Sequence, residues 1–202
     1  MKRNRPLNQE KKKAIIQSAI AEFYEKGFEG SSMDSISKEA NVSKATVYNH
    51  FNNKEDLFLA IATIIQERFE ESFVYTYSAD IPIESQLREI AMREMDILNN
   101  EENMKLIQII TIVMIQKNSI GVKLLDIVKD DCMIMTAQWF EDAKSDGKLV
   151  FESSSFVSKQ FIGMIKSFAF LPQLYGAPML NTKEQNEVVD QAVEMVKALY
   201  IR

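Results

Sequence analysis

With a single cysteine, Cys132, the chain can neither close an intramolecular disulfide nor assemble a multi-thiolate metal centre. A small buried apolar role is expected for it, ahead of redox sensing. Histidine is just as scarce. His50 stands alone, which leaves no material for a Ser/His or Cys/His dyad or for a histidine metal cluster. Gly-rich phosphate loops are missing, and the acidic pairs Glu101-Glu102 and Asp130-Asp131 are adjacent, so neither pair shares a helix face; a solvated surface is their expected place. The sequence therefore predicts no enzyme and no cofactor. Six Gly and four Pro in 202 residues supply too few turns for an all-β fold, so a mostly helical chain is expected. Long apolar runs are lacking as well. Ile107–Ile115 is interrupted by polar residues and is too short to span a bilayer, and no apolar segment follows the basic Met1–Asn8 stretch. No membrane association and a reducing, cytoplasmic setting are the expectations.

What is present is a hydrophobic fraction of 46%, enough for a sizeable core, and an uneven charge distribution beneath the net −5. Residues 1–54 carry ten Lys/Arg against six Asp/Glu, whereas the rest of the chain carries 14 against 23. A small basic module that meets a polyanion, joined to an acidic body that does not, fits this asymmetry.

Helical periodicity predicts about nine helices. The first carries Ile15, Ile16, Ala19, Ile20 and Phe23 on one face and stops at Lys26-Gly27. Ser32 can cap a short second helix with Ile36 and Ala40 inward; Asn41 suits a left-handed turn, Val42 plugs it, and Ser43 can cap a third helix from Lys44 to about Phe51. A fourth begins at Lys54. Further helices are expected from Ile81-Pro82 to Asn99, Glu102 to Lys117, Val122 to Ser145, Phe156 to Leu171, and Thr182, as cap, to Tyr200. The domain expectation is 9–69 for an N-terminal three-helix unit with the start of the fourth helix, and 70–202 for a larger helical body.

Ser31–Leu57, SSMDSISKEANVSKATVYNHFNNKEDL, carries the chemistry. Two short helices joined at Asn41-Val42-Ser43 make a helix-turn-helix whose second helix can lie in a major groove. Val47 and Phe51 point inward, leaving Lys44, Ala45, Thr46, Tyr48, Asn49 and His50 outward. Lys44 and Thr46 can hydrogen-bond base edges, and Ala45 can touch a thymine methyl. Tyr48, His50 and Lys54 carry donors for phosphate oxygens. The N-termini of the second and fourth helices, with Ser32 and Ser43 among the DNA-facing caps, can offer backbone N–H groups too. Lys2, Arg3 and Arg5 could add an N-terminal arm.

The order of residues from Ser43 to Leu57, together with Gly27-Phe28, Ser32, Ile36 and the Ala40–Ser43 turn, resembles the TetR family of bacterial transcriptional regulators over Gln9 to about Phe69. Asn41 and Ala45 stand where relatives usually have Gly. By this resemblance Lys44, Ala45 and Thr46 are base readers and Tyr48, His50 and Lys54 phosphate contacts. It implies a homodimer formed by the last two long helices on a pseudo-palindromic double-stranded operator. It also implies a small ligand in the body that shifts the fourth helix, with repression as the default output. The apolar run Phe156–Phe170, with Gly163, and the Val189–Tyr200 stripe agree with such an interface. Met92, Met114, Met135, Trp139, Phe161, Met164 and Phe168 are candidate lining for a small apolar or amphipathic effector. The alternatives are a ligand-independent or activating regulator of the same fold, or a helical interaction module with a vestigial head.

Overall fold

The computed structural model describes residues 4–116, 118–128 and 131–201, and the side chains of all these except residues 4–7 and 131. Lys2 and Arg3 of the expected arm, Lys117 and Asp130 lie outside the described residues, and the backbone of Arg5 is helical. Among the described residues there are eleven helices and no named strand: α1 (Asn4–Gly30), α2 (Met33–Glu39), α3 (Lys44–His50), α4 (Lys54–Ser72), α5 (Ile83–Leu98), α6 (Glu101–Ile115), α7 (Ser119–Ile127), α8 (Asp131–Ser145), α9 (Ser154–Ala169), α10 (Leu171–Leu174) and α11 (Thr182–Tyr200). The all-α expectation stands. Two helices more than expected arise from the single turn α10 and from a break at Val128, whose backbone leaves the helical region (φ −80°, ψ 106°).

The helices form two compact units, residues 1–66 with 105–129, and residues 67–104 with 130–202. In the first unit, α1, α2 and α3 pack on one another. Ile15, Ala19, Phe23, Ile36, Val47, Phe51, Leu57 and Phe58 fill its core. Phe23, Phe28 and Phe58 meet with ring centroids 5.1–5.7 Å apart. Phe28 reaches that cluster because α1 is broken at Gly27 (φ 70°, ψ 170°), a conformation that side chains with a Cβ scarcely adopt. Within the same unit α7 lies tightly on α6: a Cβ added at Gly121 would stand 2.8 Å from the Val113 carbonyl oxygen.

In the second unit α9 packs against α5, α8, α10 and α11, and α5 packs against α11. Leu87, Ile90, Met95, Trp139, Phe140, Phe161, Ile162, Ile165, Val189, Val193 and Val196 share one core. Some of its polar groups are closely matched. The buried Gln86 accepts from Ser78 N–H (2.9 Å) and from the Trp139 indole N–H (3.3 Å), and donates to the Ser78 and Ile81 carbonyls. Gly147 (φ 74°) ends α8, donating to Lys144 O while Lys148 N–H donates to Ala143 O, so both of these carbonyls in the last turn are satisfied.

Two expectations need correction here. The cap of α11 is Asn181, not Thr182; its side chain accepts from Lys183 and Glu184 N–H, and Glu184 answers with a bond from Asn181 N–H. The Val189–Val193–Val196 stripe is spent on the core of its own unit and is not a free face.

Candidate nucleic-acid interface

The turn between α2 and α3 takes its shape from Asn41, the one non-glycine residue with positive φ (51°) among the described residues. Its N–H donates to Lys38 O and Val42 N–H to Ser37 O. The chain is thereby redirected so that the Ser43 hydroxyl accepts from Thr46 N–H at 3.1 Å and caps α3. Ser32 does the same for α2, accepting from Ser35 N–H at 3.1 Å. Val47 and Phe51 are buried beneath α3, and Lys44, Ala45, Tyr48 and Asn49 are exposed, with Thr46 and His50 half-buried. The outward set read from the sequence is thus presented on one short helix.

Several of those groups already have intramolecular partners. The Lys44 ammonium sits 2.6 Å from an Asp34 carboxylate oxygen on α2 and 5.9 Å from the Tyr48 ring centroid. The hydrogen bond to Asp34, then its charge, holds the Lys44 ammonium above its ordinary pKa. The Thr46 hydroxyl lies 2.8 Å from that of Ser43. His50 lies with its ring centroid 6.2 Å from that of Phe51.

Lys54 departs furthest from expectation. Its ammonium donates to three backbone carbonyls, Phe28 O at 2.5 Å, Ser31 O at 3.0 Å and Glu29 O at 3.2 Å, and lies 4.5 Å from the Phe28 ring centroid. A lysine has three N–H donors, so all are engaged. In this arrangement Lys54 clamps the α1–α2 connection to the start of α4 and has no donor left for a phosphate.

A second support escaped the sequence reading. Glu22 of α1, 7% exposed, pairs with Lys26 at 2.8 Å, and Lys26 also donates to Ser35 Oγ on α2 at 3.2 Å. Burial pushes the Glu22 carboxyl up, but bonds from Lys26 and Ser35, the Lys26 charge and the Ser32 backbone outweigh it, leaving the group below its ordinary range. Ser31, also buried, donates to Glu22 O and Gly27 O. Only an i,i+4 pairing of Glu22 with Lys26 was visible in the sequence; the link to α2 needed the fold.

The candidate effector residues are scattered. Trp139 and Phe161 are fully buried, and Met92, Met135 and Met164 pack half-buried against the same core. Phe168 is 51% exposed, so it lines no interior. Met114 belongs to the other compact unit.

A three-helix head that presents a capped, polar-faced helix over an apolar underside defines a helix-turn-helix DNA-binding regulator. The pattern described as "Bacterial regulatory proteins, tetR family" matches residues 15–61. That described as "AefR-like transcriptional repressor, C-terminal domain" matches residues 85–202. Over 47 residues the chain is 47% identical to the biofilm operon icaADBC HTH-type negative transcriptional regulator IcaR of Staphylococcus epidermidis, covering 23% of this chain and 25% of that protein. Over 62 residues it is 37% identical to the HTH-type transcriptional regulator YhgD of Bacillus subtilis, covering 31% of this chain and 32% of that protein. The matches thus span only a quarter to a third of these relatives. A crystal structure of a TetR family transcriptional regulator from Pseudomonas syringae pv. tomato is similar throughout, with 30% identity, a TM-score of 0.79, and coverage of 100% of this chain and 99% of that one. The chain belongs to the TetR family of bacterial transcriptional regulators, a family of DNA-binding proteins rather than enzymes. No helix among the described residues is long and apolar enough to cross a membrane.

Proposed function

We propose that the protein is a cytoplasmic, dimeric repressor that occupies a pseudo-palindromic operator and leaves it when a small apolar or amphipathic effector binds in the core of the second unit. Family members act on DNA operators as dimers. The observation that carries the reading is α3, whose exposed Lys44, Ala45, Tyr48 and Asn49 stand on a helix fixed from below by the buried Val47 and Phe51. Lys44, Ala45 and Thr46 read base edges; Tyr48, Asn49 and His50 meet phosphates, with Ser32 and Ser43 offering capped N-termini. The neighbouring Asp34 carboxylate must yield Lys44 when DNA arrives. The reading head corresponds to residues 9–69 and the effector and dimer domain to 70–202.

The dimer face is the outer side of α9. Phe156 is 61% exposed, and a Cβ at Gly163, two turns on along the same side, would meet nothing within 4 Å; Phe168, further round the helix, is 51% exposed. α11 adds the exposed Leu199, since α9 and α11 pack together. Small and aromatic residues in this order permit close, apolar helix pairing.

Selection of bound sequences from a random duplex pool, followed by titration across a salt series, tests the proposal. A steep salt slope and a large ratio of selected to random affinity are expected; no enriched sequence would sink it. Thr46→Ala should relax preference at one position of the selected site, costing about 1–3 kcal/mol there. Equal loss on all sequences would remove Thr46 from the readers. Release of the selected duplex by apolar amphiphiles tests the effector part, and unchanged affinity throughout would favour a ligand-independent regulator.

A further inference from the structure

The second unit buries a polar set of side chains that DNA reading does not use. Lys166, in the second half of α9, points its ammonium at Cys132 Sγ on α8 (3.2 Å) and at Glu94 Oε1 on α5 (3.8 Å). Glu94 is 1% and Cys132 2% exposed. One helical turn beyond Cys132, on the same face of α8, Thr136 is wholly buried, and its hydroxyl has no hydrogen-bond partner. The Tyr75 hydroxyl is likewise buried and unpartnered. Burial first, then the electrostatic influence of Glu94 and of Cys132, with Arg93 opposing them, drives the Tyr75 phenol far above its ordinary pKa. Tyr75 is therefore a neutral donor in the electrostatic reach of Glu94 and Cys132.

Buried hydroxyls without partners are rare because each forfeits its hydrogen bonds to water. Trp139, three residues past Thr136, satisfies its own indole N–H on Gln86, which sharpens the contrast. Two unanswered hydroxyls in one core leave hydrogen-bonding capacity that a ligand can take up. The charge beside them decides what kind of ligand. Glu94 and Lys166 neutralise each other, so a carboxylate or ammonium head would arrive as an uncompensated buried charge. A hydroxyl arrives neutral and both donates and accepts, which matches Tyr75 and Thr136. Trp139, Phe161 and the half-buried Met133 and Met135 supply adaptable apolar contact for the rest of the molecule.

We infer that the second unit takes up a neutral amphiphile, an alcohol or phenol on an apolar body, whose hydroxyl is held by those of Tyr75 and Thr136 beside the Glu94–Lys166 pair. This rests on the effector-responsive reading above and names the chemistry of that effector.

The test uses the full-length protein and three probes with one apolar body: para-hexylphenol, its methyl ether, and para-hexylbenzoate. Binding is read by calorimetry and by the emission of Trp139, the single tryptophan. The phenol should bind about tenfold more tightly than the ether or the carboxylate. Thr136→Val and Tyr75→Phe should each weaken phenol binding about three- to tenfold, leave the ether unchanged, and not lower the Tm of the free protein. Equal binding of ether and phenol, preferred binding of the carboxylate, no binding of any probe, or a lowered Tm in both variants would each overturn the inference. Operator affinity measured alongside separates the two readings. If ether and phenol release the operator equally, effector control stands and the hydroxyl requirement fails. If the phenol binds as expected and the operator stays bound, the site stands and effector control fails.

Discussion

Lys54 and Lys44 both look like DNA contacts in the sequence, yet their surroundings give them different work. Three carbonyl acceptors and the Phe28 ring surround the Lys54 ammonium. Lys54→Met keeps the apolar stem and removes the donors, so stability to urea should fall by about 2 kcal/mol, the scale of charged hydrogen bonds. Unchanged stability with uniformly weaker DNA binding would return Lys54 to the phosphate contacts. Lys44 is held from the side by the exposed Asp34 carboxylate. Both groups are solvent-exposed, so the pair adds little to stability. Asp34→Asn should therefore fold normally and bind both selected and random duplexes up to about fivefold more tightly, because it frees Lys44 and removes a negative charge from the reading face. Weaker binding would instead make Asp34 a positioning residue for Lys44. The outward residues of α3 were legible because helical periodicity alone separates them from Val47 and Phe51. The clamp by Lys54 was not, since its acceptors lie 23 to 26 residues earlier in the chain.

At the level of elements, punctuation residues carried most of the information. Asn41 predicts a left-handed turn and adopts one; Gly27 predicts the end of the first helix and breaks it. A Cβ at Gly27 would meet nothing within 4 Å, so Gly27→Ala tests backbone strain without a clash. It should cost about 1–3 kcal/mol in thermal or urea unfolding, and a neutral result would mean that the Phe28 connection can relax. Where punctuation was weak, the reading failed. Val122 to Ser145 has no Gly or Pro inside it, and its apolar residues continue at helical spacing, yet α7 and α8 are separate. Ile120 and Leu124 are buried in the first unit and Cys132, Trp139 and Phe140 in the second, so the two halves answer to different cores. Which core claims an apolar stripe is a tertiary matter.

For the whole molecule the decisive question is which apolar faces remain after each unit has filled its own core. Val189, Val193 and Val196 vanish into the second unit, whereas Phe156 and Phe168 stay outside. Phe168→Glu should leave the helical circular-dichroism signal intact, convert the dimer to monomer in sedimentation, and weaken operator binding by about a hundredfold or more as bivalent engagement is lost. A variant that stays dimeric would place the interface elsewhere. By itself the sequence determined the helical class, the head with its turn and reading helix, and the split between a basic head and an acidic body. These depend on local periodicity, caps and composition, which each residue carries with it. Only the tertiary structure decided that Lys54 braces the head, that α7 and α8 part company, that the last helix spends its valines inward, and that the hydroxyls of Tyr75 and Thr136 are buried and unanswered. Each of these is settled by contacts between residues far apart in the chain, where burial and the supply of hydrogen-bond partners are properties of the packing rather than of any segment.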